Sequence, residues 1–344
     1  MNAKEIIQNT LELKPTPRQA VTVWSGGAWA LTSNGISLEN ALRAESEKVA
    51  DILFNTYTSV DSDISWAMSG YNNMVVGAIG GKIQFRAKGT PDVVDTLIKN
   101  ISDISSINID TIKDDSAVLF MLEVTKHLGK KVDNKQFIAL TRWGPWTLAG
   151  ILYGAENLMR DVYRNPDSVR RLLDFTTNLC LHYMQLYIDN GVNFVVIAEP
   201  SASGDMISRK HFQEFVFPVF KKVFTELRSK KVATALHICG NIENRLDLLN
   251  GINIDIVSVD YKVSLKKCRE VFGGKTAFAG NMDPVGIMQQ GTPEAVAAAC
   301  KQCISDAGEG GGFVLTPGCD IPPSTPIANL KAMSGVVLAH QISH

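Results

Sequence analysis

Along this chain, short β-branched apolar runs alternate with longer segments of helical period, and that rhythm limits the fold more than any other feature. Eight runs fit strands: AVTVWSGG (20–27), ISWAMSG (64–70), FIALTRWG (137–144), NFVVIAEP (193–200), TALHICG (234–240), DIVSVDY (255–261), TAFAGNM (276–282) and GFVLTPGC (312–319). The clearest helix between them is PDSVRRLLDFTTNLCLHYMQLYIDNG, with Asn165 as its cap, Pro166 in its first turn and Gly191 at its stop. Eight such units predict an α/β fold of the TIM-type (β/α)8 barrel class. A doubly wound sheet shows the same alternation. However, no run leads into a G-x-G-x-x-G or Walker loop, and nearly every run ends in a chemically distinctive residue. In order these are Trp24, Trp66, Arg142, Glu199, His237 with Cys239, Asp260, Asn281 and Cys319. Barrel active sites gather at the C-terminal ends of the strands, where such residues converge.

Residues 1–344 thus read as one barrel domain with an N-terminal extension. The stretch 71–136 is too long for a single loop. It reads as an insertion after the second strand, a hairpin around VVGAIGGKIQFRAKG plus helices near 91–101 and 114–128, placed over the barrel mouth. GEGGGF (308–313) reads as a helix stop before the last strand.

Composition narrows the function classes. Of 344 residues 45% are hydrophobic, enough for a large core, and the formal net charge of −1 gives no basic surface for nucleic acid or an anionic membrane. No window approaches the roughly 20 apolar residues of a membrane span, and the start of the chain lacks a secretory pattern, so a cytoplasmic protein is expected. Six cysteines (Cys180, Cys239, Cys268, Cys300, Cys303, Cys319) are scattered too widely for a disulfide framework and are expected to be reduced.

Side chains alternate faces on a strand, so His237 and Cys239 point to the same side and can share one ion. The ends of strands five and eight face each other across a barrel mouth, which places Cys319 to complete a His/Cys/Cys set. Three protein ligands with one open position is the pattern of a catalytic zinc. Cys300 and Cys303 lie inside a helical segment, PEAVAAACKQCISDAG, with no second pair, and read as helix packing. His127, His182, His211, His340 and His344 have no evident partners and read as surface or packing residues.

LHICGN (236–241) with TPGCDIPPSTPIANLKAM (316–333), GPWTLAG (144–150) and EPSASGDMISRKHFQEFVFPVFKK (199–222) carry a resemblance. Over roughly residues 137–340 the chain resembles the uroporphyrinogen decarboxylase superfamily, and within it the zinc-containing corrinoid-linked methyltransferases. The resemblance implies a (β/α)8 barrel, Zn2+ held by His237, Cys239 and Cys319, and a methyl group exchanged with a cobalamin-carrying corrinoid protein docked over the mouth. Glu199 departs from the pattern, since relatives often have Asp there.

A decarboxylase acting on a many-carboxylate porphyrinogen needs several arginines near the mouth, and TPRQAVTVWSGGAWAL supplies only Arg18. For a methyltransferase the metal has a task. It can lower the pKa of a substrate thiol, or polarise an ether oxygen while reduced cobalt takes the methyl group. All five tryptophans, Trp24, Trp29, Trp66, Trp143 and Trp146, precede residue 147 and sit at or beyond strand ends, which favours an aromatic pocket wall; packing of strand–helix junctions is the other reading. Arg142 is the one basic strand-end residue. The expectation is therefore demethylation of a small O-methyl compound such as a methoxyaromatic, with Glu199 as acid or fourth ligand and Asp260 and Asn281 orienting ligands or substrate. The first alternative is a methylcorrinoid:thiol methyltransferase of the coenzyme M type, marked by a basic residue in the pocket. The second is a uroporphyrinogen decarboxylase.

Overall fold

The computed structural model describes residues 1–339; His340 and His344 lie outside them. Ten strands occur among the described residues: β1 Ala20–Val21, β2 Ile64–Trp66, β3 Ile83–Gln84, β4 Asp92–Val93, β5 Phe137–Trp143, β6 Phe194–Ala198, β7 Ala233–Ile238, β8 Ile256–Val259, β9 Ala277–Met282 and β10 Phe313–Pro317. Eight of them form one parallel sheet in the order β1-β10-β9-β8-β7-β6-β5-β2. Each falls within one of the eight apolar runs or overlaps it closely. The sheet curls into a (β/α)8 barrel. Its seam lies between β1 and β2, where Asp63 N donates to Val21 O at 2.9 Å and the Thr22 and Ser62 hydroxyls meet at 2.9 Å.

A buried ion pair reinforces that seam. The Asp63 carboxylate, 1% exposed, takes both terminal nitrogens of Arg18 and, at 2.9 Å, the backbone N–H of Val21. Arg18 therefore closes the barrel.

Helices cover the outside. Pro166–Ile188 is the longest, with Pro166 at its first position and its apolar stripe, from Val169 through Leu172 and Leu179 to Tyr183, buried. In the insertion, the hairpin pairs Ile83 with Val93, later than expected, and the 91–101 stretch forms β4 and a 3-10 turn from Ile101 instead of a helix. Pro91 opens this stretch, and its β-branched Val93 is taken up by the hairpin ladder. The second expected helix is present as Ser116–Val132, capped by Asp115, whose carboxylate accepts from the N–H groups of Ala117 and Val118.

Candidate metal centre

His237 is the fifth residue of β7, and Cys239 lies just past the strand on the same side. Gly240, at φ 83°, turns the chain, and its N–H donates to Asp260 Oδ2 at 2.9 Å, so the loop carrying Cys239 is pinned to the end of β8. Cys319 arrives from the loop after β10. The preceding Gly318 is required by crowding, since a Cβ there would lie 2.6 Å from the backbone nitrogen of Tyr261.

The three side chains meet. His237 Nε2 lies 3.0 Å from Cys239 Sγ, which lies 3.0 Å from Cys319 Sγ, and all three donor atoms fall within 4.8 Å of one another. The other ring nitrogen, Nδ1, is 3.0 Å from the Ser258 hydroxyl. With Ser258 accepting from Nδ1–H, Nε2 keeps a lone pair for a metal. Tetrahedral zinc with sulfur at about 2.3 Å separates its ligands by about 3.8 Å, so the two contacts at 3.0 Å would each open by less than about 1 Å to receive it. One imidazole and two thiols, largely shielded from water, fit zinc in chemistry and in size.

Burial pushes the imidazole of His237 down, but the Cys319 hydrogen bond and the charges of Cys319, Asp260 and Asp320 outweigh it, so the net shift is upward. The remaining thiols are core residues: burial pushes Cys268 and Cys300 up to about 12, and Cys180 higher still. Cys300 packs on the Met282 sulfur at 3.0 Å from within the helix Pro293–Ala307.

The tryptophans divide. Trp24 lies 6.2 Å from the His237 ring and 5.4 Å from Trp66, edge to face, and both indoles are buried. The Trp24 indole N–H has no partner, while that of Trp66 donates to Thr22 Oγ1 at 3.2 Å. The others are placed differently from a common pocket wall. Trp29 is buried with its N–H on Thr325 O, Trp146 donates to Ser201 O and packs near Phe215, and Trp143 donates to Asn73 Oδ1 at 2.7 Å.

Three further residues are not brought to the metal donors. Arg142 is buried with its guanidinium 4.6 Å over the Tyr187 ring and 5.2 Å over that of Tyr183, on the covering helix, and it donates to Met68 O and Thr141 O. It is a packed cation and not a mouth residue, because position 142 faces the helix layer. Glu199 is fully buried and spends its carboxylate on Trp146 N (3.0 Å), Thr147 N (2.8 Å) and Thr147 Oγ1 (2.7 Å), capping the helix Pro145–Tyr153. It does not join the donor cluster as a fourth ligand. Burial raises its carboxyl to about 7 against these three donors. Asn281 points its amide at the backbone, donating to Asp260 O (3.0 Å) and Val263 O (2.6 Å), which orders the loop after β8. Asp260 does reach the centre, through its bond to Gly240 N; its other oxygen accepts from Lys262 N.

Several residues were not foreseen. Ser258 is the cross-strand partner of His237 in the β7–β8 register, a pairing visible only once the strands are aligned. Asp320, directly after Cys319, has its carboxyl raised to about 7 by burial, opposed by His237, by the Ile321 N–H and by Ser25. A cavity of about 400 Å³ opens beside it, lined among others by Ala28, Gly70, Arg86, Lys88, Thr90 and Pro323. Arg86, Lys88 and Thr90 belong to the β3–β4 hairpin loop, so the basic residues at this mouth come from the insertion and not from a strand end.

Known proteins match this architecture. The Methylcobamide:CoM methyltransferase MtbA of Methanosarcina mazei is 32% identical over 246 residues, covering 72% of this chain and 70% of that protein. The Methylated-thiol–coenzyme M methyltransferase of the same organism is 28% identical over 254 residues, 74% of this chain and 66% of its own length. A solved structure described as a methyltransferase from Methanosarcina mazei superposes with a TM-score of 0.88 at 24% identity, covering 98% of this chain and 99% of that one, which shows a shared fold. Residues 18–340 match the family profile described as Uroporphyrinogen decarboxylase (URO-D), and the chain belongs to that family.

Proposed function

We propose that this chain is a zinc-dependent methyltransferase of the cytoplasm, exchanging a methyl group between a corrinoid carried on a separate protein and a thiol held at His237, Cys239 and Cys319. The observation that carries the reading is the convergence of one imidazole nitrogen and two thiol sulfurs within 4.8 Å, with Asp320, next to Cys319 in the chain, lining a cavity that also contains basic side chains. The relatives named above support methyl transfer to or from thiols, and among the described residues no helix is long and apolar enough to cross a membrane.

This reading moves from the methoxyaromatic substrate toward the thiol. Of the five tryptophans only Trp24 packs against the His237 ring, with Trp66 edge to face on it, too few for the aromatic wall that favoured an ether, and Arg86 and Lys88 supply the basic lining that marks the alternative. Decarboxylation of a polycarboxylate has less support. Arg18 is committed to Asp63 at the barrel seam, and Arg142 is buried under two tyrosines.

When bound, a zinc ion with one neutral imidazole and two thiolates is about neutral overall and supplies the Lewis acidity that lowers a substrate thiol's pKa while leaving its sulfur nucleophilic toward a methyl group. Within the chain, Ser258 holds the imidazole so that Nε2 faces the two thiols, and Asp260 fixes the loop of Cys239. Trp24, buried 6.2 Å from the His237 ring with Trp66 packed edge to face on it, keeps water from that side of the imidazole.

The test supplies methylated corrinoid with free thiols in one vessel and reduced corrinoid with a methoxyarene in another, and follows the cobalt absorbance. Reaction in the first vessel is expected. Reaction only in the second would return the assignment to ether demethylation.

A further inference from the structure

We propose that the thiol this centre takes is an amino-acid thiol, whose ammonium group is received by Asp320 and whose carboxylate is received by Lys88 and Thr90. The proposal rests on the reading of the centre as a thiol methyltransferase, and it names the class of thiol.

The cavity lined by Asp320 has two ionisable contributors that form no ion pair among the described residues. Lys88, on the hairpin loop, makes no ion pair among the described residues, whereas its neighbour Arg86 is already held by both oxygens of Asp92. Asp320, on the loop after β10, forms no ion pair either, and its Oδ1 is buried without a hydrogen-bond partner. Thr90 Oγ1, in the same lining, is likewise buried and unpartnered. Buried polar atoms are rarely left in this state, because each lost hydrogen bond costs free energy that a ligand can restore.

The balance of these groups selects the ligand. A thiol with only an anionic tail satisfies Lys88 and Thr90 but leaves the lone pairs of Asp320 facing it. A thiol with only an ammonium group satisfies Asp320 and leaves Lys88 and Thr90 unused. A zwitterion satisfies both, and its contact with Asp320 places it one residue along the chain from Cys319. Gly70 makes room for this arrangement. It sits at φ 83°, and a Cβ there would lie 2.9 Å from Asp320 Oδ2. Pro323, in contact with the hairpin at Gly89, brings the two sides of the cavity together. A volume of about 400 Å³ holds a small amino acid.

Two measurements test this on the full chain. In the first, L-methionine, N-acetyl-L-methionine and L-methionine methyl ester are titrated into the metal-free protein, with binding read from indole fluorescence. L-methionine is expected to bind on the order of tenfold more tightly than either blocked form, as charge-assisted hydrogen bonds allow. Lys88→Ala is expected to erase its advantage over the ester, and Asp320→Asn its advantage over the acetylated form. In the second, the zinc-loaded protein receives methylcobalamin with L-homocysteine, cysteamine, 3-mercaptopropionate or 2-mercaptoethanesulfonate, and the highest kcat/KM is expected for L-homocysteine. Equal binding of all three methionine forms, or a mercaptoalkane acid or sulfonate that matches L-homocysteine, overturns the proposal. A zwitterion preference in binding, with no methyl transfer to any thiol, upholds this subsite and instead refutes the thiol methyltransferase reading.

Discussion

Removing one oxygen atom from Ser258 tests how the metal donors are oriented. Its hydroxyl lies 3.0 Å from Nδ1 of His237, and both residues are buried, at 0% and 3% exposure, so water cannot replace the lost partner. Ser258→Ala leaves Nδ1 with an unmet hydrogen bond, a penalty of about 1–3 kcal/mol. The imidazole avoids that penalty by rotating or by moving its proton to Nε2, and either change takes away the lone pair that points at Cys239 and Cys319. At about 1.4 kcal/mol per factor of ten, zinc affinity should fall roughly 10- to 100-fold, the range found when hydrogen-bond partners of metal-bound histidines are removed elsewhere. The assay is competition for zinc with a chelator of known affinity, run on folded protein and paired with circular dichroism. If the variant has native dichroism and binds zinc within twofold of the parent, Ser258 does not orient the ligand.

Three other perturbations probe the fold and the centre. Purified protein should carry about one zinc per chain by elemental analysis, and both Cys239→Ser and Cys319→Ser should lose it; retention in both variants would exclude the site. Asp63→Asn removes one partner of a buried ion pair at the barrel seam and should cost about 3–5 kcal/mol in urea denaturation, while a loss below about 1 kcal/mol would show that Arg18 does not close the barrel. Glu199 holds its proton more tightly folded, at about 7, than unfolded, at 4.5. Its contribution is therefore complete below pH 4.5 and is lost as pH rises through about 7. Glu199→Gln does not titrate and should gain on the parent by up to about 3 kcal/mol between those limits, as read by melts from pH 5 to 8. A gap that stays flat, or widens toward acid, would contradict the raised carboxyl.

The barrel was legible because period-two apolar runs and helix punctuation are local signals, and the same period brought His237 and Cys239 to one face. Where strands end is less visible. The run 20–27 pairs in the sheet only at Ala20 and Val21, although Val23 and Trp24 stay buried, since apolar character marks burial and not ladder hydrogen bonds. Which way a strand-end side chain points depends on the register of neighbouring strands. That is why Arg142, expected at the mouth, lies among helix tyrosines, and why Ser258 passed unnoticed inside an apolar run. Glu199 ends its strand as expected, but the free N–H groups of the helix beginning at Pro145 claim it, and those come from 53 and 52 residues earlier in the chain.

The hairpin that carries Arg86, Lys88 and Thr90 is held by a ladder of just two residue pairs, Ile83 with Val93 and Gln84 with Asp92, and neither strand belongs to the barrel sheet. Its loop can change in length and charge without disturbing a barrel strand, while His237, Cys239 and Cys319 sit on elements whose register fixes them. On the proposed reading, substrate choice and metal binding are thereby heritable in separate pieces. A lineage could trade one thiol for another by changing a few loop residues and keep the barrel intact, and a laboratory can test the same by grafting residues 85–91 between barrels of this kind.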